Sequence, residues 1–285
     1  MMRTGIFFYH QKGERLRDFP QALEGILEKE NVFFYDAFYP LKPPSSYELD
    51  PVSAETLYRV HSPEMVEEVK RTGEFEGALL SAAGTVRAAE KIWMKEIENA
   101  FVFTGYGDHH AGSHFFGGGC YFNGAAIAIQ ELRTRFGAKR FAIIDTDAHH
   151  GEGTWQIFEE DPDVLYVCFC PDSYREEKNK VNIQVARRMV DDKYLGLVRE
   201  HFLGRARGFQ PEILFWNWGF DGTQGEYGDM GLTPEAHILL AQQLRTIADD
   251  ICRGKFIIVL CGGSQRNLAR YIIPKMIQIL FEDRA

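Results

Sequence analysis

Seven short runs of β-branched and aromatic residues, spaced by helix-length stretches, constrain the fold of this sequence more than any other feature. They are Thr4–Tyr9, Val32–Phe38, Ala100–Thr104, Arg140–Asp145, Val164–Cys170, Ile213–Trp218 and Phe256–Cys261. Helical patterns lie between them: Gly77–Asn99, Asn123–Phe136 with Asn123 as a cap, and the amphipathic Arg187–Arg207. Pro234–Arg253 follows Thr233 as N-cap, with Pro234 at the first helical position. The last helix spans about Asn267–Asp283, and Pro274 should kink or divide it. Strands that alternate with helices need crossover connections, which predicts an α/β fold with a mainly parallel central sheet and helices on both faces. The runs are almost continuously apolar, as strands buried on both faces are. We expect one domain over residues 1–285 and a sheet of about seven or eight strands. The Pro/Ser-rich stretch Tyr39–Pro51 reads as a surface excursion.

In open parallel sheets, ligands bind beyond the carboxyl ends of the strands. Four of the runs are followed there by glycine-rich loops with acids, histidines or an arginine: "GYGDHHAGSHFFGGGCYFN", "TDAHHGEGT", "GFDGTQGEYGD" and "GGSQRN". In "IDTDAHHGEG", Asp145, Asp147 and His149 are two apart, so an extended chain points all three to one side. Two carboxylates and an imidazole suit a divalent transition metal with positions left open for water and substrate. Asp147 and His149 supply two such ligands, and Asp221 in "GFDG" is the natural third, although an aspartate before glycine is also a common turn. His109 and His110 would supply a base for a water at the metal, and Asp145 is placed to hold one imidazole in its tautomer. His150 is one step out of phase and is read as supporting the fold.

Composition narrows the partners. Hydrophobic residues at 45% and charged residues at 26% fit a globular chain. A net charge of −9 argues against a nucleic-acid binder, which needs a basic footprint. Five cysteines, an odd count without a Cys-x-x-Cys pair, read as reduced thiols of a cytosolic protein, not a disulfide scaffold or a structural zinc cluster. Apolar runs are too short for a signal peptide or a membrane span, so the expectation is a cytoplasmic protein. The oligomeric state is left open, a homo-oligomer included.

The segments "DHHAGSHFFGGGCYFNGAAIA", "IDTDAHHGEGT", "GFDG…GLT" and "GGSQRN" resemble the successive signatures of the histone deacetylase superfamily, which includes acetoin-utilisation proteins and acetylpolyamine amidohydrolases. "LYRVHSPEMVEEVK" (Leu57–Lys70) resembles the segment before the active site, so the likeness runs from about Leu57 to the end. It implies an arginase-related α/β fold, a catalytic Zn2+ or Fe2+, and hydrolysis of an N-acyl amide. It assigns the metal to Asp147, His149 and Asp221, makes His110 the base, and gives Asp145 to His109. It also implies a K+ site using Asp145, the backbone of Asp147 and His149, and a hydroxyl where this chain has Cys168. A thiol is a poor K+ ligand, so that site is left open.

Four departures from the pattern bear on function. Arg266 stands where the family usually has the tyrosine whose hydroxyl polarises the substrate carbonyl. An arginine there can stabilise an oxyanion or bind a substrate carboxylate, or it can simply face solvent; Tyr174 and Tyr227 are alternative hydroxyl donors. Glu152 replaces the Asn or Asp that touches the second histidine. Gly119 replaces the aromatic that lines a narrow acyl-lysine channel, with Phe115 and Phe116 nearby but out of register. The stretch from Pro171 to Ile183 is shorter than the usual channel-wall loop. These changes predict a wider, shallower pocket and a small N-acylated substrate in preference to a protein. The leading expectation is a metal-dependent amidohydrolase that removes an acyl, chiefly acetyl, group with a histidine base. A non-catalytic acyl-ligand binder, a protein lysine deacetylase and, last, an arginase-like ureohydrolase are the competing readings.

Overall fold

The computed structural model describes residues 2–8, 19–36, 46–48 and 51–282. Ten strands form one sheet: β1 (Thr4–Phe8), β2 (Val32–Asp36), β3 (Ser46–Glu48), β4 (Asn99–Phe103), β5 (Phe141–Asp145), β6 (Val164–Cys170), β7 (Arg175–Glu177), β8 (Lys180–Gln184), β9 (Ile213–Trp218) and β10 (Phe256–Leu260). Their order is β3-β2-β1-β4-β10-β9-β5-β6-β8-β7, and every pair is parallel except β7 with β8. The seven apolar runs each become a strand, within a residue at each end where described; Tyr9 and residues 37–38 lie outside the described residues.

The expected seven or eight strands become ten because three short strands extend the edges. β7 is exposed throughout, so it carries no apolar signal. β8 is "KVNIQ", polar at alternate positions, yet its first four residues are buried. β3 lies in the Pro/Ser-rich stretch read as an excursion. The segment after Pro171, short for a channel wall, is spent on this β7–β8 hairpin.

Side chains alternate between two cores. Ile6, Phe8, Ala142 and Ile144 face one; Phe7, Phe141 and Ile143 face the other. Helices Pro234–Cys252 and Arg266–Phe281 cover the first, and Phe75–Trp93 and Gly124–Phe136 cover the second. Asn123 caps its helix as expected, its side chain accepting from Ala126 N at 3.0 Å. Thr233 precedes its helix but makes no side-chain cap; its hydroxyl donates to Asp191 instead. Pro274 does not divide the last helix, which runs unbroken over Arg266–Phe281. The expected Arg187–Arg207 helix starts at Asp191, and a π-helical turn at Arg199–Leu203 joins its two α-helical parts. Among the described residues no helix is long and apolar enough to cross a membrane.

The sheet order places β4, β10, β9 and β5 side by side at its centre. All four run in one direction, so their glycine-rich loops leave from the same edge and converge.

Candidate metal centre

Asp145 is the last residue of β5 and pairs in register with Asn217 of β9. Two and four residues on, Asp147 and His149 meet Asp221 from the loop after β9, with one ligand atom of each within 4.8 Å of the others. Both carboxylates are buried, and the imidazole is partly exposed. His149 Nδ1 donates to Asp147 Oδ1 at 3.1 Å. Asp221 Oδ2 lies 2.9 Å from the same nitrogen, but its hydrogen is committed to Asp147, so this is a charge contact and Asp221 Oδ2 accepts no hydrogen bond. The hydrogen bond to Asp147 and the nearby Asp221 raise His149 to about 10. Burial, then the charge of Asp147, lifts Asp221 to about 6. Two buried carboxylates, one with an orphaned oxygen, thus compete for a single positive charge, as a site built for a cation would. The donor set fits a divalent transition metal. Backbone crowds it from the other side: a Cβ on Gly219 or Gly262 would overlap the Asp147 and Asp221 carboxylates.

The histidine pair lies alongside. His109 Nδ1 donates to Asp145 Oδ2 at 2.8 Å, leaving Nε2 3.8 Å from Asp147 Oδ1. Asp145 also accepts from the Tyr166 hydroxyl (2.8 Å) and from Asp147 N (3.2 Å). Burial opposes charge on His109, but Asp145 and Asp147 outweigh it and hold the imidazole well above its ordinary value. His110 Nδ1 bonds Glu152 Oε2 at 2.7 Å, and the two rings are 4.1 Å apart. The extra methylene of Glu152 therefore still lets the carboxylate reach.

A cavity of about 260 Å³ opens over these groups, lined by His109, His110, Asp147, His149, Cys120 and Tyr227 among others. Tyr227 stacks on His149 at 5.6 Å, and its hydroxyl accepts from Gly263 N at 2.9 Å. Burial, then Asp221, pushes its pKa up, so it stays a phenol. Arg266 does not line the cavity; it is exposed at the first residue of the last helix. Tyr174 is exposed beside Glu176, away from the cavity. Phe115 is 38% exposed, and Phe116 stacks on Tyr121, so neither stands in for an aromatic at Gly119.

Three supports were not read from the sequence. Glu226 accepts from Ser264 N at 3.0 Å, Ser264 Oγ at 2.7 Å and Gln265 N, and so ties the loops after β9 and β10 together beside Tyr227. His61 bonds Gly112 O through Nδ1 (2.9 Å) and accepts from Asn123 N at Nε2 (3.1 Å). Tyr166 sits on β6, where its apolar neighbours hid a polar role. "Tyr after Glu" and "His before Ser-Pro" carry no general signal; only the fold reveals their partners.

Comparisons with known proteins bear on the family and the fold. The histone deacetylase domain model matches residues 72–280. A probable deacetylase of Archaeoglobus fulgidus is 29% identical over 92% of this chain and 81% of its own length. Histone deacetylase 5 of Arabidopsis thaliana is 30% identical over 74% of this chain, and polyamine deacetylase HDAC10 of Mus musculus 28% over 81%. The matches span 35% and 40% of those two proteins, so the chain covers less than half of each. The HDA15 HD domain superposes with a TM-score of 0.83 at 22% identity, covering 98% of this chain and 91% of that one, a likeness of fold.

Proposed function

This chain belongs to the histone deacetylase family, and on that premise we propose that it is a metal-dependent deacetylase acting on small N-acylated amines. The observation that carries the reading is the buried Asp147–His149–Asp221 set, facing a histidine pair whose far nitrogens are both engaged by carboxylates. A zinc or iron(II) ion held there would supply a Lewis acid for the acyl carbonyl and lower the pKa of a water. Glu152 fixes the Nδ1–H tautomer of His110, so Nε2 carries the lone pair that takes the proton of the attacking water. Asp145, itself steadied by Tyr166, turns the His109 Nδ1–H toward itself and favours the charged ring. A histidine of the pair then returns a proton to the departing amine. Tyr227 spends a lone pair on Gly263 N–H, so its own O–H is available to the developing oxyanion, the task the sequence gives to Arg266's position in other members.

The rim supports a small substrate: Gly118, which packs over His110, brings no aromatic side chain to the cavity wall, and one relative is named a polyamine deacetylase. A net charge of −9 suits a cationic amine. One observation favours a second reading, a non-catalytic acyl-ligand binder: Arg266 lies outside the cavity. A deacylation screen with acetylpolyamines, small N-acyl amino acids and an acetyl-lysine peptide separates them. We expect turnover that depends on added metal and is fastest on the small amides. Ligand binding without turnover across the panel selects the binder, and a preference for the peptide selects protein lysine deacetylation.

A further inference from the structure

Beyond the carboxylate set lies a second group of metal-ligating side chains that amide hydrolysis does not use. Cys168 and Cys170 are two apart on β6, so both thiols leave one face of the strand. His150 reaches them from the loop after β5, and the ligand atoms of the three residues lie within 4.8 Å of one another. His150 Nδ1 is 4.0 Å from Cys170 Sγ. The register of β6 on β8 sets Asn182 opposite Cys168. Asn182 spends its amide nitrogen on the carbonyls of Asp172 (3.0 Å) and Ser173 (2.9 Å). That fixes the amide, and its Oδ1 faces the cluster, 3.1 Å from Cys170 Sγ and 3.2 Å from His150 Nδ1.

The group has its own access. A cleft of about 520 Å³ opens on the His150–Asn182 side, lined also by Pro171, Asp172, Ser173 and Arg175. None of these residues lines the cavity over Asp147 and Asp221.

We propose that His150, Cys168 and Cys170 form a second metal site, for a thiolate-binding divalent ion of the zinc class, with Asn182 Oδ1 at its cleft side. Two sulfurs and an imidazole are soft to borderline donors, which select zinc over hard cations such as potassium or magnesium. Zinc–sulfur bonds of about 2.3 Å put two sulfurs on one tetrahedral ion ~3.8 Å apart, so the donors need close by no more than about 1 Å. Binding releases the thiol protons to solvent. The Cys170 thiol is lowered to about 6, first by its hydrogen bond with Cys168 and then, against burial, by His150, while burial holds the Cys168 thiol well above its ordinary value, so the ion itself must displace that proton. An ion there clamps the residue next to His149 onto β6 and β8, and so braces the loop that carries Asp147 and His149.

The test is a titration of metal-free protein with Co2+, read by absorption. The Asp147–His149–Asp221 set contains no sulfur, so a thiolate-to-cobalt charge-transfer band in the near ultraviolet reports the second site alone. We expect a band that saturates within two equivalents in unmutated protein and at one equivalent in the Asp147→Asn/Asp221→Asn double variant, is lost in Cys168→Ser and in Cys170→Ser, and is displaced by Zn2+. X-ray absorption on unmutated protein with two equivalents of Zn2+ avoids any question of variant folding and should show sulfur in the zinc shell at about 2.3 Å. No sulfur in either the cobalt or the zinc shell overturns the proposal, as does a band that survives both serine variants. Neither readout involves amide hydrolysis, so the site stands or falls independently of the proposed activity.

Discussion

The two histidine–carboxylate pairs are built from the same hydrogen bond and differ in where they sit. In the inner pair, His109 and Asp145, the side chains are 2% and 0% exposed, and the carboxylate is shared with Tyr166 and the Asp147 backbone. In the outer pair, His110 and Glu152, they are 17% and 50% exposed, and Glu152 opens a short helix, Glu152–Phe158. Burial makes the inner pair rigid and dependent on every partner, because an orphaned buried group has no water to turn to. The outer pair works in a higher dielectric, where a carboxylate contributes less and can be replaced at lower cost. On this account Glu in place of the Asn or Asp of the resembling pattern should cost little at the second place and much at the first.

Four outcomes can break or sharpen that contrast. Asp145→Asn should reduce kcat by roughly 10³- to 10⁴-fold, since it removes the carboxylate that orients and charges His109 and weakens the nearer of the two Tyr166 hydroxyl contacts; steady-state kinetics on the best amide checks it, and near-native kcat would show the inner pair to be dispensable. Tyr227→Phe should cost about 10²- to 10³-fold in kcat with little change in KM, as loss of one oxyanion donor does; an unchanged kcat returns the role to another group.

The third outcome separates site histidines from fold histidines. His61 and His237 are buried and neutral, each lowered by burial to about 4. Trp218 Nε1 donates to His237 Nδ1 at 3.1 Å, and Thr223 Oγ1 lies 2.9 Å from its Nε2. The folded value lies below the unfolded one of about 6.5, so between about 6.5 and 4 the unfolded chain binds more protons. Stability should therefore fall as pH falls through that window, by up to on the order of 3 kcal/mol for each histidine. Urea midpoints measured at several pH values read this, and a midpoint unchanged down to pH near 4 contradicts it. The smallest effect belongs to Glu152→Gln, about tenfold or less in kcat, shrinking further at high salt; a loss as large as that of Asp145→Asn would erase the distinction between the two pairs.

How much of this was legible in the sequence follows the same division. The buried central strands announce themselves by continuous apolar runs, and the Asp145–Asp147–His149 rhythm by its two-residue step, so the heart of the sheet and the candidate metal ligands could be read from local pattern. The edge strands β7 and β8 could not, because an exposed or alternating strand looks like a loop. Glu226, His61 and Tyr166 were out of reach for another reason: each acts through a partner 15 to 62 residues away in the chain, such as Gly151 for Tyr166 or Asn123 for His61, and the same distance left Tyr227 as one of two candidate hydroxyls. Local spacing holds no record of such pairings. Arg266 shows the converse, since its place in the motif suggested the cavity and the first turn of its helix carries it outside.

The central claim is that Asp147, His149 and Asp221 hold the ion on which amide cleavage depends. The most direct measurement is acyl-amide hydrolysis by metal-free protein titrated with Zn2+, alongside Asp221→Asn carried through the same titration. The account predicts no activity without metal, recovery in wild type as zinc is added, and no recovery in Asp221→Asn at any zinc concentration that leaves it folded. Full-rate hydrolysis by the metal-free protein, or wild-type recovery in Asp221→Asn, would contradict it.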